Sequence, residues 1–170
     1  MVPEEIKVKA RNIKLLLTDC DGVLTDGGVY YGEQGEVLKK FNIRDGMGVE
    51  RLRKLAEVET GIITGERSSS VIKRAEKLQI TELHLGVKDK LLVLIQIMDS
   101  QNLIKENIAY IGDDVNDISI MQKVGLSACP ADAISFTKNI ADYICENKGG
   151  EGCFREFAEL IIASKTNTTI

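Results

Sequence analysis

The sequence predicts an α/β fold in three layers: a parallel β-sheet with helices on both faces and a β-hairpin projecting from it. Three observations carry that expectation. Short apolar runs alternate with longer amphipathic stretches along nearly the whole chain, as successive βαβ units require. The 170 residues are 44% hydrophobic and 28% charged, the size and balance of one globular domain, spanning residues 1–170, with a buried core. One segment, residues 28–41 (GVYYGEQGEVLKKF), breaks the alternation with two β-type runs around a Gly-Glu-Gln-Gly turn, the pattern of a hairpin.

Taken in order, residues 13–18 (IKLLLT) read as a buried strand. After the hairpin, residues 47–58 read as a helix. Met47, Val49, Leu52 and Leu55 supply its apolar positions, and Glu50, Arg51, Arg53 and Lys54 its charged ones. Residues 61–64 (GIIT) close a second strand, and residues 68–78 form a helix entered through serines, which are good N-caps. A short strand at 83–85, a long helix at 88–100 and an apolar strand at 108–112 (IAYIG) follow. A helix at 115–124, a strand at 126–129, a helix near 133–141, a strand at 143–145 and a final helix at 153–164 complete the Rossmann-like pattern. No repeat, low-complexity tract or linker interrupts it, and a frayed tail is expected at residues 166–170.

Composition narrows the chemistry. Lys plus Arg total 22 and Asp plus Glu 26, a net charge of -4, so the chain lacks the basic footprint of a nucleic-acid binder. No apolar stretch approaches the roughly 20 residues that span a bilayer. The charged N-terminus MVPEEIKVKA lacks the apolar core of a signal peptide, so a cytoplasmic location is expected. His84 is the single histidine and no G-x-S-x-G elbow exists, which disfavours a serine triad and excludes a His-rich zinc site. Cys20, Cys129, Cys145 and Cys153 form no C-x-x-C pair, and none has an Arg six residues on. Zinc, dithiol and cysteine-phosphatase readings are weak, and free, mostly buried thiols are expected. Chemistry must therefore rest on carboxylates, hydroxyls and lysines, with or without a hard metal ion.

Four features could carry it. Asp19-Cys20-Asp21-Gly22 follows the first apolar strand. In extended backbone, residues i and i+2 point the same way, so two carboxylates meet at a strand end and call for a cation or a proton between them. An Asx-turn ending the strand is the plainer reading. Gly112-Asp113-Asp114-Val115-Asn116-Asp117 follows another apolar strand. Capping a helix needs one acid rather than three, and a second cluster suggests that the two share a Mg²⁺. Thr64-Gly65 offers a hydroxyl and backbone N–H groups that suit a phosphate, or simply a cap. Lys90 stands at a helix start, where most lysines are solvated.

Their order and placement decide among these readings. D-x-D, T-G, a helix-start Lys and G-D-D-x-x-D fall in sequence where a parallel sheet presents its site. The chain thereby resembles the haloacid dehalogenase superfamily of phosphotransferases over nearly its whole length. The resemblance implies that Asp19 is the nucleophile forming an aspartyl phosphate, and that Asp21 protonates the leaving oxygen and then activates water. It implies that Thr64, Gly65 and Lys90 bind the phosphoryl group. Mg²⁺ would sit on Asp19, the main-chain carbonyl of Asp21, and Asp113, with Asp114 assisting and Asp117 orienting Lys90 or the loop.

Most relatives carry a cap domain over the site, and here there is no room for one. The stretches DGVLTDGGVYY, GEVLKKFNIRDGMGV, IGDDVND and GGEGCFREFAE are similar to the capless branch acting on 2-keto-3-deoxy sugar-acid phosphates. That branch assembles as homotetramers in which neighbours complete each site with the hairpin and the C-terminal segment, here residues 149–170. For the glycine run before Arg155, a flexible turn is the simpler reading. Glu66, Arg74 and Lys77 resemble the substrate-binding set of enzymes acting on nine-carbon acid 9-phosphates, of the nononate or sialate type, and the expectation leans that way. Arg44-Asp45-Gly46 looks more like enzymes of eight-carbon octulosonate 8-phosphate, which stands as the alternative. Two further readings are a non-catalytic tetramerisation module and a subunit of a larger complex acting on another phosphate, such as an aryl phosphate.

Overall fold

The computed structural model describes residues 2–166. The chain runs α1 (Glu4–Arg11), β1 (Leu15–Thr18), β2 (Thr25–Gly32), β3 (Gly35–Phe41), α2 (Ile43–Arg51) and a π-helical turn (Leu52–Ala56). It continues through β4 (Glu59–Ile63), α3 (Ser69–Leu78), β5 (Glu82–His84), α4 (Lys90–Gln101) and β6 (Ile108–Ile111). A 3₁₀ turn (Val115–Asp117), α5 (Ile118–Met121), β7 (Leu126–Cys129), α6 (Ser135–Lys138), β8 (Tyr143–Ile144) and α7 (Cys153–Thr166) follow. Thr166 closes the last helix, and the rest of the expected frayed tail lies outside the described residues.

Six strands form one parallel sheet in the order β5-β4-β1-β6-β7-β8. Alternate side chains divide between its faces. Leu15, Leu17, Ile63 and Tyr110 pack with Leu94 and Ile97 of α4 and Ile120 and Met121 of α5. Leu16, Ile62, Ala109 and Ile111 pack with residues of α1, α2, α3 and α7, among them Ile6, Val49, Val71 and Phe157. Burial on both faces explains why these strands read as continuous apolar runs. The three layers expected from the sequence are present, without a cap. Among the described residues, no helix is long and apolar enough to cross a membrane.

The topology fixes where a ligand belongs. From β1 the chain moves outward through β4 and β5, then returns to β6 on the other side of β1. The switch in direction opens a crevice at the carboxyl ends of β4, β1 and β6. Thr64, Asp19 and the Gly112-Asp113 pair follow those three strand ends directly.

The hairpin is a separate two-stranded antiparallel sheet, with Tyr30 opposite Leu38 and Gly35 in the left-handed region at the turn. It begins at Thr25, three residues before the expected start. Tyr30, Tyr31, Val37 and Leu38 leave it with an exposed apolar surface.

Three helices differ from expectation. α1 went unread because only Ile6 and Ala10 are buried along its charged length. α2 starts at Ile43, capped by Asn42, whose side chain accepts from the Arg44 N–H (2.8 Å). Gly46 and Gly48 hid its start, and they stand where a Cβ would meet Arg74 and the Arg155 backbone, so they allow close packing against α3 and α7. The same helix passes into the π-helical turn rather than running regularly to 58. The expected helix at 115–124 divides into a 3₁₀ turn and the short α5.

Candidate active site

β1 delivers Asp19 into the crevice, with its N–H donating to the Ile111 carbonyl of β6 (3.0 Å). The chain then turns sharply, and the Cys20 carbonyl accepts from the Leu24 and Thr25 N–H groups (2.9 and 3.1 Å). Gly22 makes this turn possible at φ +87°, where L side chains are disfavoured. A Cβ on Gly22 would also lie 2.1 Å from Asp113 Oδ2, so the absent side chain is what lets Asp113 approach the D-x-D loop. Asp19, Asp21, Thr64, Gly65, Glu66 and Asp113 share the wall of one cleft of about 260 Å³ with the loop at Asp114, Val115 and Asn116.

Beneath the cleft lies a buried polar cluster. Lys90 Nζ is 2.9 Å from Asp19 Oδ1 and 2.6 Å from Asp117 Oδ1. Asp117 also accepts from the Tyr110 hydroxyl (2.6 Å) and, through Oδ2, from the Asp113 and Asp114 N–H groups (2.9 and 3.3 Å). It therefore orients both Lys90 and the loop. Lys90 itself does not line the cleft. Held by the two carboxylates, it lies close enough to Asp19 to reach a group carried there.

Charge is poorly balanced in this cluster. Burial, then the Asp117 charge, pushes Asp19 up to about 7 against the pull of Lys90. Burial, then Asp19, Asp117 and Asp114, pushes Asp113 up to about 8. Burial alone would lower Lys90, but Asp19 and Asp117 reverse the effect and raise it. One lysine does not neutralise Asp19, Asp113 and Asp117 together.

These residues fit a divalent cation. Carboxylate oxygens of Asp19, Asp113 and Asp117 lie within 4.8 Å of one another. Asp117 is already committed to four donors, which leaves Asp19 and Asp113 as the pair facing an ion. Asp113 Oδ1 is buried and has no hydrogen-bond partner. Hard oxygen donors at this spacing suit Mg²⁺, whose ligands sit at about 2.1 Å. Asp21 shares the cleft wall with Asp19, and its Oδ1 accepts from Lys39 Nζ (2.6 Å) and from Thr25 Oγ1 (3.3 Å).

Thr64 is buried, and its Oγ1 accepts from the Glu66 N–H (3.3 Å), forming the turn that brings Glu66 to the cleft. Arg74 and Lys77, expected to join Glu66 at the substrate, do not line the cleft. Arg74 donates to the Asn42 carbonyl (2.7 Å) and stacks over Phe41, because Gly46 leaves room for it between α3 and α2. Lys77 lies exposed on α3.

In the C-terminal glycine run, Gly149 and Gly150 press against the D-x-D loop of their own chain. A Cβ on Gly149 would meet the Gly22 carbonyl at 1.9 Å, and the Gly150 N–H donates to the Val23 carbonyl (2.9 Å). α7 then buries Phe154 and Phe157 in its own core, while the Arg155 side chain pairs with Glu159. All four cysteines are free and buried, as expected.

Sequence reasoning missed Lys39, Glu36 and Tyr110. Lys39 sits in a Lys-Lys pair on a projecting strand, which reads as solvent-facing. Tyr110 lies inside an apolar strand, which reads as core.

Comparison with known proteins agrees with this geometry. The haloacid dehalogenase-like hydrolase family matches residues 71–156. The chain is 41% identical over 164 residues to 3-deoxy-D-manno-octulosonate 8-phosphate phosphatase of Escherichia coli K12, covering 96% of this chain and 87% of that protein. It superposes on a putative 3-deoxy-D-manno-octulosonate 8-phosphate phosphatase from Vibrio cholerae with a TM-score of 0.95 at 39% identity, covering 99% and 94% of the two chains. The Moraxella catarrhalis 3-deoxy-D-manno-octulosonate 8-phosphate phosphatase, solved with a magnesium ion, a phosphate ion and a KDO molecule, gives a TM-score of 0.92 at 35% identity over 97% and 94%.

Proposed function

The chain belongs to the haloacid dehalogenase-like hydrolases, and from that membership we propose that it hydrolyses 3-deoxy-D-manno-octulosonate 8-phosphate. It is a phosphoric monoester hydrolase of the capless branch, and Mg²⁺ is its cofactor. One observation carries the proposal. Acids from the ends of β1 and β6 converge, with Lys90 beneath them, at the sheet's switch point.

Asp19 attacks phosphorus and the bond from phosphorus to the sugar oxygen breaks. That oxygen leaves with the electron pair and takes a proton from Asp21. Asp21 then removes a proton from water, which attacks the aspartyl phosphate and releases phosphate and free Asp19. Thr64, Gly65 and Lys90 hold the phosphoryl oxygens throughout. Asp19, the Asp21 carbonyl and Asp113 would hold Mg²⁺, which would offset the repulsion between a carboxylate nucleophile and a phosphate dianion. At the cleft mouth, Glu66 accepts hydrogen bonds from sugar hydroxyls.

The eight-carbon substrate is favoured over the nine-carbon one. The Escherichia coli relative named above is a phosphatase of the former, and Arg74 and Lys77 stand away from the cleft. The decisive assay compares kcat/KM for octulosonate 8-phosphate and nononate 9-phosphate with Mg²⁺, beside Asp19→Asn. The expected result is at least a tenfold preference for eight carbons and no turnover by the variant. A nine-carbon preference would overturn the substrate, and equal inertness of both proteins on every phosphate ester would leave an assembly module.

The proposal includes a homotetramer in the cytoplasm. Tyr31 at 73% and Tyr30 at 64% exposure, with Val37 and Leu38 beside them, form an apolar hairpin surface suited to a second copy of the chain. Light scattering on Leu38→Glu is expected to show smaller species than wild type.

A further inference from the structure

Lys39 has no role in the mechanism above, yet its side chain is wholly buried. Lysines are almost never buried without a partner. Here there are two: Asp21 Oδ1 at 2.6 Å and Glu36 at 3.3 Å. Glu36 in turn accepts from the Ser68 hydroxyl, and Ser68 caps α3 through the Val71 N–H (3.4 Å). A polar chain therefore runs from the start of α3, through the hairpin, to Asp21. At its end the two oxygens of Asp21 differ sharply. Oδ1 accepts from Lys39 and Thr25, while Oδ2 is buried and has no hydrogen-bond partner.

We propose that Lys39 is a positioning residue for proton transfer: its bond to Oδ1 fixes the Asp21 carboxylate in the orientation that serves the departing sugar alkoxide. This rests on the phosphatase reading of the site. A carboxylate turns about two side-chain bonds, and proton transfer depends on holding one oxygen within hydrogen-bond reach of the reacting atom. A charge-assisted bond from a lysine that is itself fixed by Glu36 supplies that constraint. The hairpin thus contributes to its own chain's active site as well as presenting an outer surface.

The test separates positioning from simple anchoring. Lys39→Met preserves length and removes the charge. The double variant Lys39→Met/Glu36→Gln also avoids leaving a stranded Glu36 charge, which guards against misfolding. Both are assayed with Mg²⁺ on octulosonate 8-phosphate, whose alkoxide needs a proton to leave, and on p-nitrophenyl phosphate, whose phenolate does not. General acid catalysis contributes about 10²-fold or more, so kcat/KM on the sugar phosphate is expected to fall about 100-fold. The fall on the aryl phosphate is expected to be at least tenfold smaller, with the Mg²⁺ activation curve unmoved. Equal losses on both substrates, or no loss on either, overturn the proposal. So does failure of both variants to fold, which would make Lys39 an anchor. A wild-type protein inert on both esters overturns the phosphatase reading instead.

Discussion

Gly22→Ala places a single methyl group between the two halves of the metal site. Its Cβ would lie 2.1 Å from Asp113 Oδ2 and 2.6 Å from Asp113 Cγ. Non-bonded atoms settle near 3.5 Å, so the carboxylate must retreat by roughly 1 Å or the loop must move by as much. Mg²⁺ demands ligands at about 2.1 Å in a near-ideal octahedron, and a displaced carboxylate does not meet that demand. We expect Mg²⁺ affinity to fall about 10- to 100-fold, the range seen when the support of a metal ligand is lost. The φ of +87° adds about 1–2 kcal/mol of backbone strain. For a chain of this length that lowers Tm by about 2–8 °C, which leaves the protein folded. Calorimetric titration of Mg²⁺ and activity as a function of Mg²⁺ concentration read the effect. The activation curve should shift to higher Mg²⁺, with part of kcat restored at saturation. A lowered Tm with an unmoved Mg²⁺ curve would show that Gly22 serves the turn alone and that Asp113 does not hold the ion.

Lys90→Met leaves Asp19 and Asp117 buried without their shared cation, and a broken buried pair costs about 3–5 kcal/mol; chemical denaturation should show that loss, and a change under 1 kcal/mol would contradict the cluster's geometry. Mg²⁺ uptake should strengthen with pH, because Asp19 near 7 and Asp113 near 8 must lose protons to ligate. Titrations from pH 6 to 9 should show affinity rising by about tenfold or more per unit below 7 and levelling above 8, and a flat profile would remove these two acids from the site. Asp45 is 2% exposed, and burial raises its carboxyl to about 6 while Oδ1 accepts from the Arg155 N–H (2.9 Å). A raised carboxyl contributes stability below its unfolded value near 4 and loses it as pH rises through 6. Asp45→Asn keeps the acceptor, so it should match wild type at pH 4 and exceed it by about 1–3 kcal/mol at pH 7.5.

The elements that position the site were legible because their physics is local. β1, β4 and β6 are buried on both faces, so their apolar runs stood out, and the acids after them inherited a place at the carboxyl edge. Asp19, Thr64 and Asp113 were found this way, and the cleft gathers all three. What stayed hidden depends on contacts distant in sequence. Lys39 meets Asp21 across 18 residues, and Arg74 meets Asn42 across 32. A lysine on a strand and an arginine on a helix carry no sign of whether a carbonyl, a ring or a substrate awaits them. The bond from Arg74 to Asn42 went unread for that reason, and the room that Gly46 leaves for it appears only when α2 and α3 are packed. The glycine run at 149–152 reads in sequence as a flexible turn, and its close approach, with a Gly149 Cβ 1.9 Å from the Gly22 carbonyl, appears only in the folded chain.

That approach links stability to catalysis. The D-x-D loop is pressed from one side by Gly149 and Gly150 and from the other by Asp113, so its backbone has little freedom. The carboxylates it brings together repel one another, and Lys90 relieves only part of the repulsion. Without an ion, the raised carboxyls of Asp19 and Asp113 stabilise the fold in acid and lose that contribution as pH rises through 7 to 8. A bound divalent cation reverses the balance, because it favours the ionised form of both. The rigid loop therefore holds acids in an arrangement that is unfavourable at neutral pH until a cation arrives, so the demand for metal is set by the fold before any phosphate enters the cleft.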